Sequence, residues 1–191
     1  MNKVLVGVFI AMCLLGVRLN ARLGESVEEC EKRYGNRLTD SREIMGYSIW
    51  FGTLISPLDK EAVKKNGEVT IFGDTYGFFR VDRYIISVLF IDNKAERIAF
   101  IKMGKYDTRP EKLSADEMIA FLSANKGENG SDEWTKASDN KWKNEGSGRQ
   151  ASYGADQLRI DTAENVDRMR KRVEDSKEAN RKKQKEVLRK F

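Results

Sequence analysis

Between residues 68 and 103 the chain leaves no room for a helix between one extended run and the next. Residues 68–72, 76–81, 84–91 and 95–103 are rich in β-branched and aromatic side chains. Only short stretches around Gly73-Asp74, Asp82-Arg83 and Asp92-Asn93-Lys94 separate them. Such runs read as strands and such separators as turns or a bulge. A parallel pair needs a crossover of about a dozen residues or more, whereas antiparallel strands close through a tight turn. The segment therefore predicts an antiparallel meander. In its last run, the two-residue period puts Ile98 and Phe100 on one face, with Arg97, Ala99 and Ile101 on the other.

Helical signals flank the meander. Ser26 and Glu29 have the spacing of a capping box, and Gly35 suits the position just past a helix end. Val27, Cys30 and Tyr34 would then share one helix face. Residues 36–42 are polar and turn-like, and residues 44–54 return to apolar and aromatic composition before Pro57. Ser114 and Glu117 form a second capping box, ahead of Met118, Ile119, Phe121 and Leu122, whose apolar side chains are expected against the sheet. Residues 125–148 are polar, with Trp134 and Trp142 as aromatic plugs that pin an irregular excursion to the core, or alternatively as a ligand-stacking or partner-contact surface. Residues 151–153 and 158–160 suggest a last hairpin or edge strand. The expected fold is α+β: an antiparallel β-meander with a short N-terminal helical element, one packed helix, and a charged C-terminal helix or disordered tail.

The N-terminus reads as an export signal. Lys3 precedes an apolar run over residues 4–17, and small Ala21 follows. The run is short for a helix crossing about 30 Å of hydrocarbon. The expected organisation is a signal peptide at 1–21, a single domain at 22–161 and a basic tail at 162–191. The expected location is the periplasm or the exterior, with an uncleaved segment or a lipid on Cys13 as the alternative attachment. Met12 stands where a lipid-attachment motif carries Gly, Ala or Ser, which argues against the lipid.

Charge separates the body from the tail. Residues 22–161 carry 22 Lys and Arg against 24 Asp and Glu, while residues 162–191 carry 11 against 6. The overall excess of +5 thus owes much to the tail, which is a solvated helix or a weak attractor of anionic surfaces. Interleaved Glu174, Asp175 and Glu178 dilute its field. Nucleic acid is not an expected partner, because no recognition module accompanies the basic run.

The sequence also closes off chemistry. It contains no histidine, which removes Ser-His-Asp triads, Cys-His pairs and HExxH metal sites. After export Cys30 would be the one remaining cysteine, so neither an internal disulfide nor a cysteine zinc cluster is expected. Cys30 itself is read as a buried thiol, with a reactive or dimerising thiol as the alternative. Asp74, Asp82 and Asp92 fall at turns or strand ends, where acids serve solvation and capping. No catalytic, cofactor-binding or metal-binding residue is assigned, and no cofactor is expected.

The opening Leu23-Gly24-Glu25-Ser26-Val27-Glu28-Glu29-Cys30-Glu31-Lys32-Arg33-Tyr34-Gly35 resembles that of small exported proteins of Verrucomicrobia and related groups. Those proteins carry a similar start, a compact β-meander, a short helix and a Trp-containing stretch. The opening is also distantly similar to the SmpA/OmlA outer-membrane lipoprotein family and to domains shaped like the β-lactamase inhibitor protein. In these a short N-terminal helical pair packs on an antiparallel sheet. The likeness covers roughly residues 23–122. It implies an interaction or envelope-maintenance role and carries no functional residue onto a numbered position. The expected function is therefore a non-catalytic protein-interaction or cell-envelope structural domain with an envelope or extracellular partner. An inhibitor of a hydrolase, a small-ligand carrier and a hydrolase using carboxylates alone are the alternatives.

Overall fold

Strand β3 (Tyr84–Ile91) is the axis of the fold, because every residue from Ile85 to Phe90 is buried. Its sequence, YIISVLFI, is nearly continuous in apolar character, as a strand covered on both faces requires. The computed structural model describes residues 22–51, 63–64, 66–71, 73–106, 109–126 and 133–188. The expected export segment 1–21, including Cys13, lies outside the described residues, as do Pro57 and Phe72.

Around β3 lie β1 (Glu68–Ile71), β2 (Asp74–Val81) and β4 (Lys94–Met103). The second half of the sheet is built from β6 (Trp134–Ser138), β7 (Lys141–Asn144), β8 (Gln150–Gly154) and β9 (Gln157–Asp161). The strand order is β1-β2-β3-β4-β9-β8-β7-β6, and the short β5 (Pro110–Glu111) pairs with the end of β4. All pairings are antiparallel, so the expected α+β meander is present. Two expectations change. The expected hairpin over 151–160 is present as β8 and β9, but it lies inside the sheet and not at an edge, because β9 pairs with β4 and β8 with β7. The 125–148 region is not wholly irregular, because Trp134 to Asn144 form a paired hairpin.

The turns follow backbone chemistry. Asp92 and Asn93 join β3 to β4 with φ of 50° and 60°, the double positive-φ geometry that matches sheet twist in two-residue hairpins. Ala155 and Asp156 do the same between β8 and β9, at 51° and 58°. A register shift after Leu89 leaves Glu96 as an extra residue in β4, since Arg97 pairs with Leu89 and Ala95 with Phe90. This bulge brings Glu96 to the chain after β9, where its carbonyl and its carboxylate both accept from Thr162.

Two apolar layers sandwich the sheet. Helix α1 (Val27–Tyr34) and helix α3 (Ala115–Ala124) pack on one face, over Phe79, Ile86, Phe100 and Leu158. Phe121 of α3 stacks on Phe100 with ring centroids 4.1 Å apart. Helix α2 (Ser41–Trp50) packs on the opposite face, where Ile44 meets the layer of Phe78, Ile85, Leu89 and Ile101. The two N-terminal helices thus lie on opposite sides of the sheet. Both expected capping boxes form, at Ser26/Glu29 and Ser114/Glu117. Asp40 caps α2 by accepting from the amides of Arg42 and Glu43.

The C-terminal segment is helix α4 (Ala163–Leu188), 26 residues long and therefore about 39 Å at 1.5 Å per residue. Thr162 Oγ1 accepts from the Asn165 amide at 3.1 Å, a side-chain cap. The first turns belong to the packed body: Asn165 is buried, and Val166 and Met169 are half-buried. Arg172 anchors the helix to the start of β2 through a bidentate pair with Asp74, at 2.6 and 2.9 Å. Residues 173–185 beyond it are exposed.

Candidate functional site

Helical spacing divides α3 into a core face and an outer face. Met118, Phe121 and Leu122 stand three or four residues apart and join the core. Ile119 is turned about 100° from Met118 and is 60% exposed, so it does not lie against the sheet as expected. It borders a groove of about 240 Å³ lined by Leu122, Trp134 and Trp142, with Ser123, Lys126 and Glu133 on its polar side. Pairing of Trp134 with Asn144 and of Lys136 with Trp142 puts both tryptophans on the same face of the hairpin. The Trp134 indole donates to the Leu122 carbonyl at 2.6 Å, which locks the hairpin to the end of α3. Both tryptophans are half-buried against the core, as plugs would be, and both also face the groove. A polar hollow of about 510 Å³ adjoins at Ser123 and Lys126, with Glu25, Glu29 and Arg149 in its lining.

The opposite sheet face changes character at β4. Aligned residues run across six strands as Leu89, Arg97, Asp161, Gln150, Lys143 and Thr135. The next row runs Ser87, Ala99, Arg159, Ser152, Lys141 and Ser138. In each row the β3 residue is buried, and the residues on β7 and β6 are exposed. On the β9–β6 part of this face the first turn of α4 reaches the end of β9, where Asn165 donates to Asp161, while Gln150, Lys143 and Lys141 are exposed. At the boundary, small Ser87 and Ala99 leave a recess of about 10 Å³ bordered by Phe51, Tyr76, Arg97, Gln157 and Arg159.

Charge in this recess is unbalanced. Arg97 Nε donates to Asp161 at 2.6 Å. Arg159 donates to the Gln157 side-chain oxygen at 3.2 Å, and no described carboxylate lies within ion-pair distance of it. Burial, reinforced by the nearby Arg97 charge, holds the Arg159 pKa below its usual value. Gln157 is 7% exposed, and its amide nitrogen has no hydrogen-bond partner among the described residues. These residues were not singled out by the sequence. The alternation Gln157-Leu158-Arg159-Ile160-Asp161 was visible, but the placement of β9 beside β4 was not.

Cys30 and the acids Asp74, Asp82, Asp92 and Glu117 do not converge on one site among the described residues. Cys30 is fully buried, and burial, with the Glu25 charge, pushes its thiol up to about 12, far from the thiolate range of reactive cysteines. Of the turn acids, Asp74 holds Arg172, while Asp82 sits at the other end of β2, about 25 Å away along the strand. Asp92 occupies a positive-φ turn position. Glu117 receives hydrogen bonds from the Lys102 ammonium, the Tyr84 hydroxyl and the Ser114 amide. Burial opposes its charge, yet these donors outweigh it and hold the carboxyl at about 2.

No helix among the described residues is long and apolar enough to cross a membrane. The chain matches no protein-family model, no curated protein and no solved structure at a significant level.

Proposed function

We propose that the chain is a non-catalytic protein-interaction domain that works outside the cytoplasm, in the periplasm or secreted. Its docking surface is the groove between α3 and the β6–β7 hairpin. The observation that carries this reading is Ile119, 60% exposed beside a notch lined by two tryptophans. Binding hot spots are enriched in aromatic anchors set in pockets that exclude water. At about 240 Å³ the notch is below the usual range of small-molecule pockets, about 300–1,000 Å³. By itself the notch has the size of one apolar side chain of a partner segment, and the adjoining hollow of about 510 Å³ is lined mainly by polar and charged residues that suit the flanking polar part of such a segment. The export half of the reading rests on the composition of residues 1–21. The partner is an envelope or extracellular protein, and the exposed basic end of α4 adds a weak attraction to anionic surfaces.

Photo-crosslinking in cells tests it. A benzophenone amino acid at position 119 is expected to trap one envelope protein, and combination with Trp142→Ala should remove that adduct. The same probe at position 106, where Tyr106 is 78% exposed, should trap nothing comparable. Identical adducts from both positions, or none from position 119, would overturn the reading.

A further inference from the structure

We propose that the recess at the β4–β9 boundary recognises a carboxylate, presented by an acidic segment of a protein partner lying across β9, β8 and β7. The site is distinct from the groove beside α3 and lies on the opposite face of the sheet.

Donors outnumber acceptors around this recess. The Arg97 charge is balanced by Asp161, whereas Arg159 has a neutral amide oxygen as its hydrogen-bond acceptor. The Gln157 amide nitrogen is buried without a partner among the described residues, in a residue more than nine-tenths buried. A buried donor left unpaired costs free energy in the unbound protein, and an inserted anion would recover it. A carboxylate oxygen would accept from Arg159 and Gln157 together, and charge-assisted bonds of this kind are the stronger ones.

Size and surroundings narrow the ligand. About 10 Å³ has room for one water-sized group, which is one carboxylate oxygen, so an acidic side chain would seat a single oxygen there while the rest of the residue stays outside the recess. The two residue rows continue the positive character outward: Lys141 lies in line with Arg159 and Lys143 in line with Arg97, both lysines exposed. Lys143 is partly offset by Glu145 at 2.8 Å, while Lys141 has no ion-pair partner among the described residues. An extended acidic segment crossing these strands would therefore place one carboxylate at the recess and others near the lysines. Complementary charge of this kind orients and selects a partner.

The test uses the full chain and fluorescein-labelled octaglutamate, read by anisotropy at low salt, with octaglutamine as the neutral control. Octaglutamate is expected to bind and octaglutamine not. Arg159→Gln and Gln157→Leu should each weaken binding about tenfold or more. The Gln157→Leu change removes the unpaired donor but also the oxygen that accepts from Arg159, so its melting is measured beside its binding; a variant that still melts as one cooperative fold yet binds octaglutamate as tightly as the native chain would overturn the proposal. Lys182→Gln combined with Lys183→Gln, on the exposed end of α4, should cost less than Arg159→Gln. A larger loss in the α4 variant, or no octaglutamate binding, would overturn the proposal. Displacement by acetate at concentrations comparable to octaglutamate would overturn the protein-partner half by making a free carboxylate sufficient. Retention of groove crosslinking at position 119 in Arg159→Gln keeps failure here distinct from failure of the groove reading.

Discussion

On the face that carries α2, the sheet is apolar over β1–β4 and polar over β9–β6, although both halves belong to one continuous ladder. In the first half Ile44 of α2 closes over Phe78, Ile85 and Leu89. In the second half Gln150, Lys141 and Lys143 stand in solvent. The other face shows no such break, since α1 and α3 share one core with β2, β3, β4, β8 and β9. A sheet is thus not obliged to choose one partner layer throughout. Where alternate residues are apolar it needs a helix, and where they are polar it remains available to another molecule.

The largest effect should come from the covered half. Phe78 is fully buried and meets Phe51 edge-on, with ring centroids 5.8 Å apart. Phe78→Ala should cost about 3–5 kcal/mol, measured by urea unfolding; a loss under about 1 kcal/mol would mean α2 does not close this layer.

An intermediate effect is expected at the shared core. Glu117→Gln weakens a capping box and removes the charge that holds Lys102, and should cost about 1–2 kcal/mol. The Glu117 carboxyl is held at about 2 against an ordinary 4.5. A depressed folded-state value stabilises fully above the ordinary one and is lost as pH falls through the folded one. The native protein should therefore lose this contribution between about pH 4.5 and about pH 2, and the variant should show a shallower acid limb there.

Arg172→Ala should cost at most about 1 kcal/mol, because the pair with Asp74 is partly exposed. Its clearer signature is local: faster amide exchange around residues 169–176, with β3 unchanged. The smallest effect belongs to the bare half, where Lys141→Ala should change stability by under about 0.5 kcal/mol. A larger loss would show that Lys141 is packed in the native protein.

Much of this arrangement was legible in the sequence because it is local. The capping residues Ser26 and Ser114, the Asp92-Asn93 turn and the opposite-facing Ile98 and Ala99 follow from spacing alone. Helix α2 was less evident: SREIMGYSIW has apolar residues without a clean stripe, and its real signal was Asp40 as an N-cap. The β8–β9 turn was obscured by Ala155, a residue without the usual preference for positive φ. What local spacing could not supply was the long-range pairing of β4 with β9. That pairing brings Arg97, Gln157 and Arg159 together across some sixty positions of chain. The groove was half legible, since Trp134 and Trp142 stood out while the outward turn of Ile119 depended on where α3 docked.

The most direct test of the split face is a matched pair of substitutions in one transverse row. Leu89 and Gln150 belong to the same row, Leu89 1% exposed beneath α2 and Gln150 exposed on β8. Leu89→Lys should cost more than about 3 kcal/mol or prevent folding, because it buries an unpaired charge. Gln150→Lys should change unfolding free energy by less than about 0.5 kcal/mol. That asymmetry is what a sheet covered on one half and open on the other predicts. Comparable losses at the two positions would contradict it, by showing that the β9–β6 face is covered in the native protein.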